Sequence, residues 1–281
     1  KPIFAVAKRA QRKNVAFAEG EDRRVLRAVQ VIVDEGLARP WLVGRASIIA
    51  ARIEKYGLRL KAGRDFEVIN IDNDPRYRDF WQTYHRLTDR KGVTEQFAKI
   101  EMRRRLTLIA SMLLYKGEVD GMICGTWGST QQHLAHIDQI IGRRAGVHTY
   151  ACMNGLILPG RQVFLVDTHI NYDPSAQQLA EITILAAEEM RRFGVAPKAA
   201  LLSHSSFGSS NQPSALKMRE ALALGRQAAP WLEIDGEMHG DAALDAAYRQ
   251  ELMPRSTLTG EANLLVLPNI DAANIAYNLL K

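Results

Sequence analysis

The stretch "SHSSFGSSNQPS", from Ser203 to Ser214, concentrates hydroxyl groups and small side chains between the apolar run "KAALL" and the helical pattern "ALKMREALAL". Small residues let backbone amides approach a ligand closely, and the first turn of the following helix directs positive partial charge at an anion. These properties predict a ligand-binding turn formed by Ser203, Ser205, Ser206, Gly208 and Ser209. The stretch lacks the Walker lysine and the GxSxG elbow, so an ordinary polar turn in which Ser214 caps the helix stays open as the alternative.

A second loop with glycines and hydroxyl groups, "CGTWGSTQQH", follows an apolar run that is predicted to be a strand. Its Gly125, Thr126 and Ser129 are candidate ligand contacts for the same reasons. His133 and His136 are three residues apart, a spacing that metal sites use, but no third ligand is identifiable. Solvent-exposed histidines are therefore the favoured interpretation.

The stretch "IDGEMHGDAAL" carries four polar residues at alternate positions, Asp235, Glu237, His239 and Asp241. Alternate residues of an extended chain share one face, so this pattern suits a metal site or a pair of general acid and base groups. A solvated loop whose acids cap the next helix explains the pattern equally well. The spacing alone does not separate the two interpretations.

Carboxylates also stand at the ends of two further predicted strands. Asp167 ends the run "FLVD" and has no evident structural partner, which makes it a candidate ligand residue. Ser175 opens the next helix as a cap. Another helix is predicted to begin with three acids, Glu19, Glu21 and Asp22. The helix dipole favours acids at this end, and the same acids repel a phosphate. The pattern therefore predicts a capped helix and not a dinucleotide-binding fingerprint.

The elements that position these residues alternate between strand-length apolar runs and helix-period segments, as in "NVAFAEG" before "EDRRVLRAVQVIVDEG". This alternation, with glycine at the helix ends, predicts an α/β fold with parallel sheets covered on both faces. Ligands in such folds gather at the carboxyl ends of the strands, where the loops described above lie. Residues 72–117 break the alternation and are predicted to form two consecutive helices. A change of composition near Gly142–Gly146 predicts two domains, residues 1–146 and 147–281.

Composition narrows the class of protein. The chain has 281 residues, 47% of them hydrophobic, and a net charge of +6, so it buries a full core and favours anionic partners. No apolar run reaches the ~18 residues of a membrane span, and nothing resembles a secretory signal, so a cytoplasmic protein is expected.

Cys124 and Cys152 lie in apolar surroundings, which predicts buried reduced thiols. The basic run Arg103–Arg105 has no nucleic-acid motif around it and is expected on an exposed helix face. Because the chain starts at Lys1 without a methionine, we expect it to be part of a longer polypeptide.

Several of these segments, taken in order, resemble one protein family over essentially the whole chain. They are "AFAEGEDRRVLRA", "GEVDGMICG", "FLVDTHINYDPSAQQLAEI", "LLSHSSFGSS", "IDGEMHGDAAL" and "ANLLVLPNIDAANIAYNLL". The family is that of the phosphotransacetylases (phosphate acetyl/butyryltransferases), and "PRYRDFWQTYHRL" is most similar to the phosphotransacetylase-like C-terminal domain of bacterial NADP-dependent malic enzymes. The resemblance implies two α/β/α domains of the isocitrate-dehydrogenase-like type with mainly parallel sheets, a cleft between them that holds coenzyme A and phosphate in the transferases, and dimerisation through the second domain.

The sequence departs from the family pattern at positions that carry charge in the transferases. Two arginines of the family correspond to Thr88 and Ala135, and a lysine of the serine-rich loop corresponds to Phe207. The family's catalytic serine–arginine pair and a later aspartate fall beyond Lys281, as does the completion of the first domain. Acetyl transfer needs cationic groups that hold phosphate and stabilise the oxyanion, and removing one such donor costs about 2.7 to 4 kcal/mol. These losses predict a domain that does not transfer acetyl groups.

We therefore expect a regulatory domain of a malic enzyme that binds acetyl-CoA or a related acyl-CoA as an effector. Its expected contacts are Ser203, Ser205, Ser206, Gly208, Ser209, Gly125, Thr126, Ser129, Asp167, Asp235 and Glu237. The resemblance implies that NADP and Mg²⁺ or Mn²⁺ bind to a separate malate-oxidising domain of the same polypeptide, and that the protein is at least a dimer. Two alternatives stay open: an active phosphate acetyltransferase in which Arg86, Arg90 or Arg103–Arg105 replace the lost arginines, and a purely structural oligomerisation module.

Overall fold

A computed structural model describes the backbone of residues 2–281 and the side chains of residues 5–281. The chain divides into two compact units, one up to Gly142 and the other from Arg143 onward. This division lies four residues before the boundary expected from composition. Each unit contains its own sheet with helices around it, and the predicted α/β class with mainly parallel strands is confirmed.

The first unit contains a four-stranded parallel sheet in the order β3-β2-β1-β4. Its strands are β1 (Lys13–Phe17), β2 (Ala38–Gly44), β3 (Glu67–Asn70) and β4 (Gly121–Ile123). Its helices are α1 (Pro2–Arg9), α2 (Arg23–Glu35), α3 (Ala46–Lys55), α4 (Tyr77–Thr88), α5 (Glu95–Arg104), α6 (Leu106–Tyr115) and α7 (Thr130–Ile140), with a short 3₁₀ turn at Asp89–Lys91. Two apolar clusters pack against this sheet, one including Val43, Leu108 and Met112 and the other including Leu26, Leu42 and Ile49.

Local chemistry explains where the first helices begin and end. Asp22 caps α2, since its carboxylate accepts a hydrogen bond from the backbone N–H of Arg24 at 2.7 Å. Gly36 ends that helix with φ 67°, a left-handed conformation that glycine adopts at little cost. The prediction of two helices over residues 72–117 was wrong, because this segment contains the three α-helices α4, α5 and α6. Arg105 adopts an extended conformation (φ −103°, ψ 96°) and separates α5 from α6.

The second unit contains a five-stranded sheet in the order β5-β6-β9-β7-β8. Its strands are β5 (Met153–Leu158), β6 (Arg161–Val166), β7 (Lys198–Leu202), β8 (Glu233–Met238) and β9 (Leu264–Val266). Its helices are α8 (Ala176–Arg192), α9 (Pro213–Ala228), α10 (Gly240–Leu244), α11 (Ala246–Leu252) and α12 (Ile270–Leu280). One apolar cluster includes Leu179, Ile182 and Met218, and another includes Leu165, Met238 and Leu258.

The sheet of the second unit is mixed because β5 pairs antiparallel with β6. Sequence analysis did not predict this hairpin, although Pro159–Gly160 between two apolar runs is a turn signal and Gly160 has φ 78°. Ser175 caps α8 in a capping box with Gln178, as predicted. The N-cap of α9 is Gln212 and makes no side-chain capping bond, so the alternative in which Ser214 caps this helix was wrong.

In each unit the loops that carry the candidate residues follow the carboxyl ends of parallel strands. Among the helices in the described part of the chain, none has the length and apolar character that crossing a membrane requires.

Candidate functional site

The serine-rich loop between β7 and α9 folds around the carboxylate of Glu237, which is fully buried at the end of β8. Its Oε1 accepts hydrogen bonds from the Ser205 hydroxyl at 2.7 Å, the Gly208 N–H at 2.9 Å and Nη1 of Arg219 at 3.0 Å. The backbone N–H of Phe207 adds a bond to the Glu237 carbonyl oxygen at 2.7 Å. An internal carboxylate therefore accepts from two of the residues that were predicted to bind an external anion, Ser205 and Gly208.

The other serines of the loop bond mainly to its backbone. Ser203 Oγ accepts from the Ser205 N–H at 3.1 Å, and Ser209 Oγ accepts from the Ser206 N–H at 3.0 Å. Ser206 Oγ accepts from the His239 N–H at 3.2 Å. Gly208 and Ser209 are exposed and Ser206 is half-buried, whereas Ser205 is fully buried. The rim of the loop is thus exposed, while its interior is a hydrogen-bond network in which Oε2 of Glu237 has no partner among the described residues.

The second acid of the alternating pattern, Asp235, belongs to a different network. Its carboxylate accepts from Arg226 Nη2 at 2.9 Å, from Ser256 Oγ at 2.7 Å and from the Thr257 N–H at 2.8 Å. A register shift between β7 and β8 separates Asp235 from Glu237 along the strand. Both acids are buried, so the alternative of a solvated loop was wrong.

Asp167 lies after β6 and is also buried. It accepts from the backbone N–H groups of Cys152 at 3.1 Å, His169 at 3.2 Å, Ile170 at 3.2 Å and Asn171 at 2.8 Å. These bonds give Asp167 the structural partners that the sequence did not reveal. It holds the loop after β6 in shape.

Near Asp167, the Cys152 thiol lies 3.7 Å from Nδ1 of His169 and accepts a bond from Thr168 Oγ1 at 3.4 Å. Burial raises the pKa of the Cys152 thiol, and burial likewise raises that of Cys124. Both cysteines are free and half-buried. They are free, as predicted, but half-buried where full burial was predicted, and they lack the low pKa of a catalytic cysteine.

In the first unit, the loop between β4 and α7 repeats the arrangement of the serine-rich loop with another acid. The buried carboxylate of Glu19, which follows β1, accepts from the Gly125 N–H at 3.1 Å and from the Thr126 hydroxyl at 3.3 Å. Ser129 caps α7 by accepting from the Gln132 N–H at 3.3 Å. The sequence pointed to Glu19 only as a helix-start acid, and it contains no local signal for a contact 106 residues away.

The two histidines of α7 are half-buried, so their interpretation as solvent-exposed was wrong. His133 bonds to Thr107 Oγ1 through Nδ1 at 2.7 Å and to the Trp127 carbonyl oxygen through Nε2 at 2.8 Å. Nδ1 of His136 is buried without a hydrogen-bond partner in the described residues, and burial lowers the pKa of this imidazole. Within residues 5–281, no group of three or more His, Cys, Asp or Glu side chains is arranged to hold a metal ion.

The three positions at which the resemblance implied lost cations have no cationic substitute in the same place. Thr88 is fully buried, and its hydroxyl bonds to the Tyr84 carbonyl oxygen at 2.7 Å within α4. Ala135 lies on the exposed face of α7. Phe207 packs against the apolar cluster under α12 and adopts φ 50°.

Two of the nearby arginines that were considered as replacements are already engaged. The Arg103 guanidinium lies 4.1 Å from the ring centre of Tyr77, and Arg105 bonds to Glu101 at 3.0 Å. Arg104 has no hydrogen-bond or ion-pair partner among the residues that the structure describes.

Comparison with known proteins adds three findings. The family model described as phosphate acetyl/butaryl transferase matches residues 1–281. The NADP-dependent malic enzyme of Escherichia coli is 50% identical over 281 residues, which is 100% of this chain and 37% of that protein. The phosphate acetyltransferase of Paracoccus denitrificans is 36% identical over 290 residues, covering 99% of this chain and 86% of that protein.

Among solved structures, the EutD phosphotransacetylase from Staphylococcus aureus superposes with a TM-score of 0.86 at 29% identity, covering 99% of this chain and 84% of that chain. This chain therefore spans little more than a third of the malic enzyme and most of the length of each transferase.

Proposed function

The chain belongs to the phosphate acetyl/butaryl transferase family, and on that basis we propose that it is a phosphotransacetylase-like regulatory domain of a malic enzyme. In this role it binds acetyl-CoA or a related acyl-CoA as an effector and does not transfer the acyl group. Malate oxidation, NADP and the divalent metal then belong to another part of the same polypeptide. Assembly into a homo-oligomer and a cytoplasmic location are parts of the same proposal.

The similarity to malic enzymes supports the assignment to that class. Identity to the Escherichia coli malic enzyme is 50% over the whole chain, compared with 36% to the Paracoccus denitrificans transferase. The malic enzyme is also much longer than the region it shares with this chain, which leaves room for a separate catalytic domain.

The observation that carries the absence of acyl transfer is the environment of Thr88, Ala135 and Phe207. A buried hydroxyl, a methyl group and a packed phenyl ring stand at these positions, and none of them supplies a positive charge. Attack of phosphate on a thioester develops negative charge on the carbonyl oxygen, which fixed cations stabilise. Losing one such donor lowers kcat about 10²- to 10³-fold, so the loss of several lowers transfer below ordinary enzyme rates.

Effector binding needs fewer charged groups than catalysis does, because the ligand must be held but its transition state need not be stabilised. The rim formed by Ser206, Gly208 and Ser209 is exposed or half-buried on the second unit, but its N–H groups bond within the loop, so the Ser206 and Ser209 hydroxyl groups are the proposed ligand contacts. Ser203, Ser205 and Glu237 support that loop from inside, so we assign them an indirect part in binding. Asp235 belongs to the separate network of Ser256 and Thr257.

An active phosphate acetyltransferase is the second candidate, and it is favoured by the guanidinium of Arg104, which has no partner within residues 5–281. A free arginine in the unit that has lost two arginines is able to take over phosphate binding. The two candidates differ in one measurable property, which is the formation of acetyl phosphate from acetyl-CoA and inorganic phosphate.

The test combines calorimetric titration of the chain with acetyl-CoA and an acetyl-phosphate assay on the same preparation. We expect binding without product. Turnover near the usual enzyme range of about 1–10³ s⁻¹ would establish the second candidate instead. An acyl-CoA that binds the folded chain should raise its unfolding free energy by about 2.7 kcal/mol at ~100 times Kd. If no acyl-CoA binds or raises this free energy, the result supports the structural oligomerisation module.

The variant Phe207→Lys restores the family lysine, and we expect it to form no acetyl phosphate because the positions of Thr88 and Ala135 still lack charge. Phe193→Lys, at an exposed aromatic residue after α8, is the matched control for the introduced charge. Acetyl phosphate formed by Phe207→Lys and absent from the control would contradict this reasoning.

A further inference from the structure

A polar hollow of about 130 Å³ lies at the amino ends of three parallel strands in the first unit, on the edge of the sheet opposite to the loops after β1 and β4. Arg12 directly precedes β1, Arg39 is the second residue of β2, and Glu67 is the first residue of β3. All three lie in the wall of the hollow. At about 30 Å³ for each water molecule, the hollow holds the volume of about four waters, which suits a small polar ligand.

Strand pairing places Arg39 and Glu67 on the same face of the sheet. Glu67 of β3 pairs with Trp41 of β2, and Arg39 lies two residues before Trp41. Alternate residues of a strand share a face, so the Arg39 side chain projects to the same side as that of Glu67. The spacing between strands and between residues puts the Cα atoms of Arg39 and Glu67 about 8 Å apart, a distance that two long charged side chains bridge when they pair.

Three charged groups around the hollow are nevertheless free. Within residues 5–281, the guanidinium groups of Arg12 and Arg39 have no hydrogen-bond or ion-pair partner, and the carboxylate of the half-buried Glu67 has none either. The other charges of the wall balance one another, since Arg64 donates to both carboxylate oxygens of Asp65 at 2.8 and 2.7 Å. The hollow therefore presents two free cations and one free anion.

The end of α2 explains the position of Arg12. A Cβ atom at Gly36 would lie 2.8 Å from Nη2 of Arg12, so the guanidinium rests directly against the glycine that ends this helix. The carboxyl end of a helix carries negative partial charge, which attracts a cation. This attraction positions the charge without a hydrogen bond from Arg12 to any described residue, so its N–H groups stay available to a ligand.

Two acids near the end of α2 do not compete for these cations. Asp34 pairs with Arg59 at 2.8 Å, and Glu35 pairs with Lys8. Their charges are therefore balanced outside the hollow.

We propose that this hollow binds the main-chain groups of a small free α-amino acid, with the carboxylate between the guanidinium groups of Arg12 and Arg39 and the ammonium group against Glu67. Guanidinium groups bind carboxylates through paired N–H donors, and a carboxylate accepts strong hydrogen bonds from an ammonium group. A simple anion such as phosphate would satisfy the arginines but would be repelled by Glu67, whereas an amino acid neutralises charges of both signs. The inference is independent of the acyl-CoA proposal, since it uses none of the residues assigned to that effector.

The test titrates the isotope-labelled chain with three compounds and follows the amide signals of Arg39, Phe66 and Glu67 by nuclear magnetic resonance. L-Alanine carries both charged groups, propionate lacks the ammonium group, and ethylamine lacks the carboxylate. We expect L-alanine to shift these signals to saturation. Propionate and ethylamine should each bind about 10- to 150-fold more weakly, because each loses a hydrogen bond between charged groups.

Two variants remove one charge each with little change of shape. Arg39→Gln should weaken the binding of L-alanine and of propionate about 10- to 150-fold. Glu67→Gln should weaken L-alanine by a similar factor and yet strengthen propionate, because the repulsion of its carboxylate disappears. A merely structural role of Glu67 would not change the two affinities in opposite directions. Arg255→Gln and Glu54→Gln, at exposed residues outside the hollow, are the matched controls and should change each Kd by less than about twofold.

Three results would each overturn the proposal. They are the absence of a saturable shift with L-alanine, propionate binding as tight as that of L-alanine, and L-alanine binding that is unchanged in Glu67→Gln. The second result would indicate a simple anion site, and the third would indicate that Glu67 takes no part in binding. Calorimetry with acetyl-CoA on the same preparation reports on the proposed effector separately.

Discussion

Replacing Glu237 by alanine tests whether an internal carboxylate holds the serine-rich loop in shape. The Glu237 side chain is fully buried, and its Oε1 accepts bonds from Ser205, Gly208 and Arg219. Removing one partner of a buried ion pair costs about 3–5 kcal/mol. We expect the lower end, about 3 kcal/mol, because the Arg219 side chain is 28% exposed and water can replace the lost bonds to it and to Gly208.

The variant Glu237→Gln separates the shape of the side chain from its charge. The amide oxygen still accepts from Ser205 and Gly208, but the attraction of Arg219 weakens and an NH₂ group replaces Oε2, which has no partner among the described residues. We expect this variant to lose about 1–2 kcal/mol. Glu220→Ala is the control. The Glu220 carboxylate accepts a bond of 3.2 Å from Gln177 at the surface, so this variant should change the unfolding free energy by less than about 0.5 kcal/mol.

Urea denaturation followed by circular dichroism measures these free energies, and hydrogen exchange of residues 203–212 shows whether the change is local. In Glu237→Ala the amides of this loop should exchange faster than those of α8, which is remote from it in sequence. An unfolding free energy for Glu237→Ala within about 0.5 kcal/mol of the native value would refute the role of this carboxylate.

Three further predictions concern other parts of the chain. The buried guanidinium of Arg249 donates to the carbonyl oxygens of Ala242 at 3.0 Å and of Leu258 at 3.3 Å. Arg249→Met should therefore lower the free energy of unfolding in urea by about 3 kcal/mol, and an unchanged midpoint of urea denaturation would contradict this. Hydrogen bonds from Arg45 lower the pKa of Glu21 below its ordinary value of 4.5. The stabilisation from these bonds is therefore complete above pH 4.5 and is lost as the pH falls, so acidification should lower the unfolding free energy of the native chain more than that of Glu21→Gln. Parallel curves of unfolding free energy against pH would refute this. Burial raises the pKa of both cysteine thiols, so iodoacetamide near neutral pH should label them more slowly than it labels glutathione, as mass spectrometry can measure.

The fold was largely predictable because its signals are local. Apolar runs of strand length, helix-period segments and glycines such as Gly36 at helix ends occur in the order of an α/β protein, and each is recognisable within a short window. The break at Arg105 was not predictable in this way, since the residues on both sides of it favour helix and only packing decides that the chain turns there.

The candidate site was predictable in its position and not in its contacts. The loops that follow β4 and β7 lie at the carboxyl edges of the two sheets, as the alternation of elements required. The donors in these loops, however, bond to Glu19 and Glu237, which are separated from them by 106 and by 29 to 32 residues. No spacing rule connects residues that are so far apart along the chain.

The sequence by itself determined the class of fold, the family resemblance and the absence of charge at Thr88, Ala135 and Phe207, because these depend on residue types and local periodicity. Only the tertiary structure decided which polar groups satisfy one another. Folding brings distant carboxylates against the loop amides, and within residues 5–281 it leaves the Arg104 guanidinium without a partner and the Trp127 indole exposed. The physical reason is that burying a charge is unfavourable without a partner, and the partner is chosen by position in space.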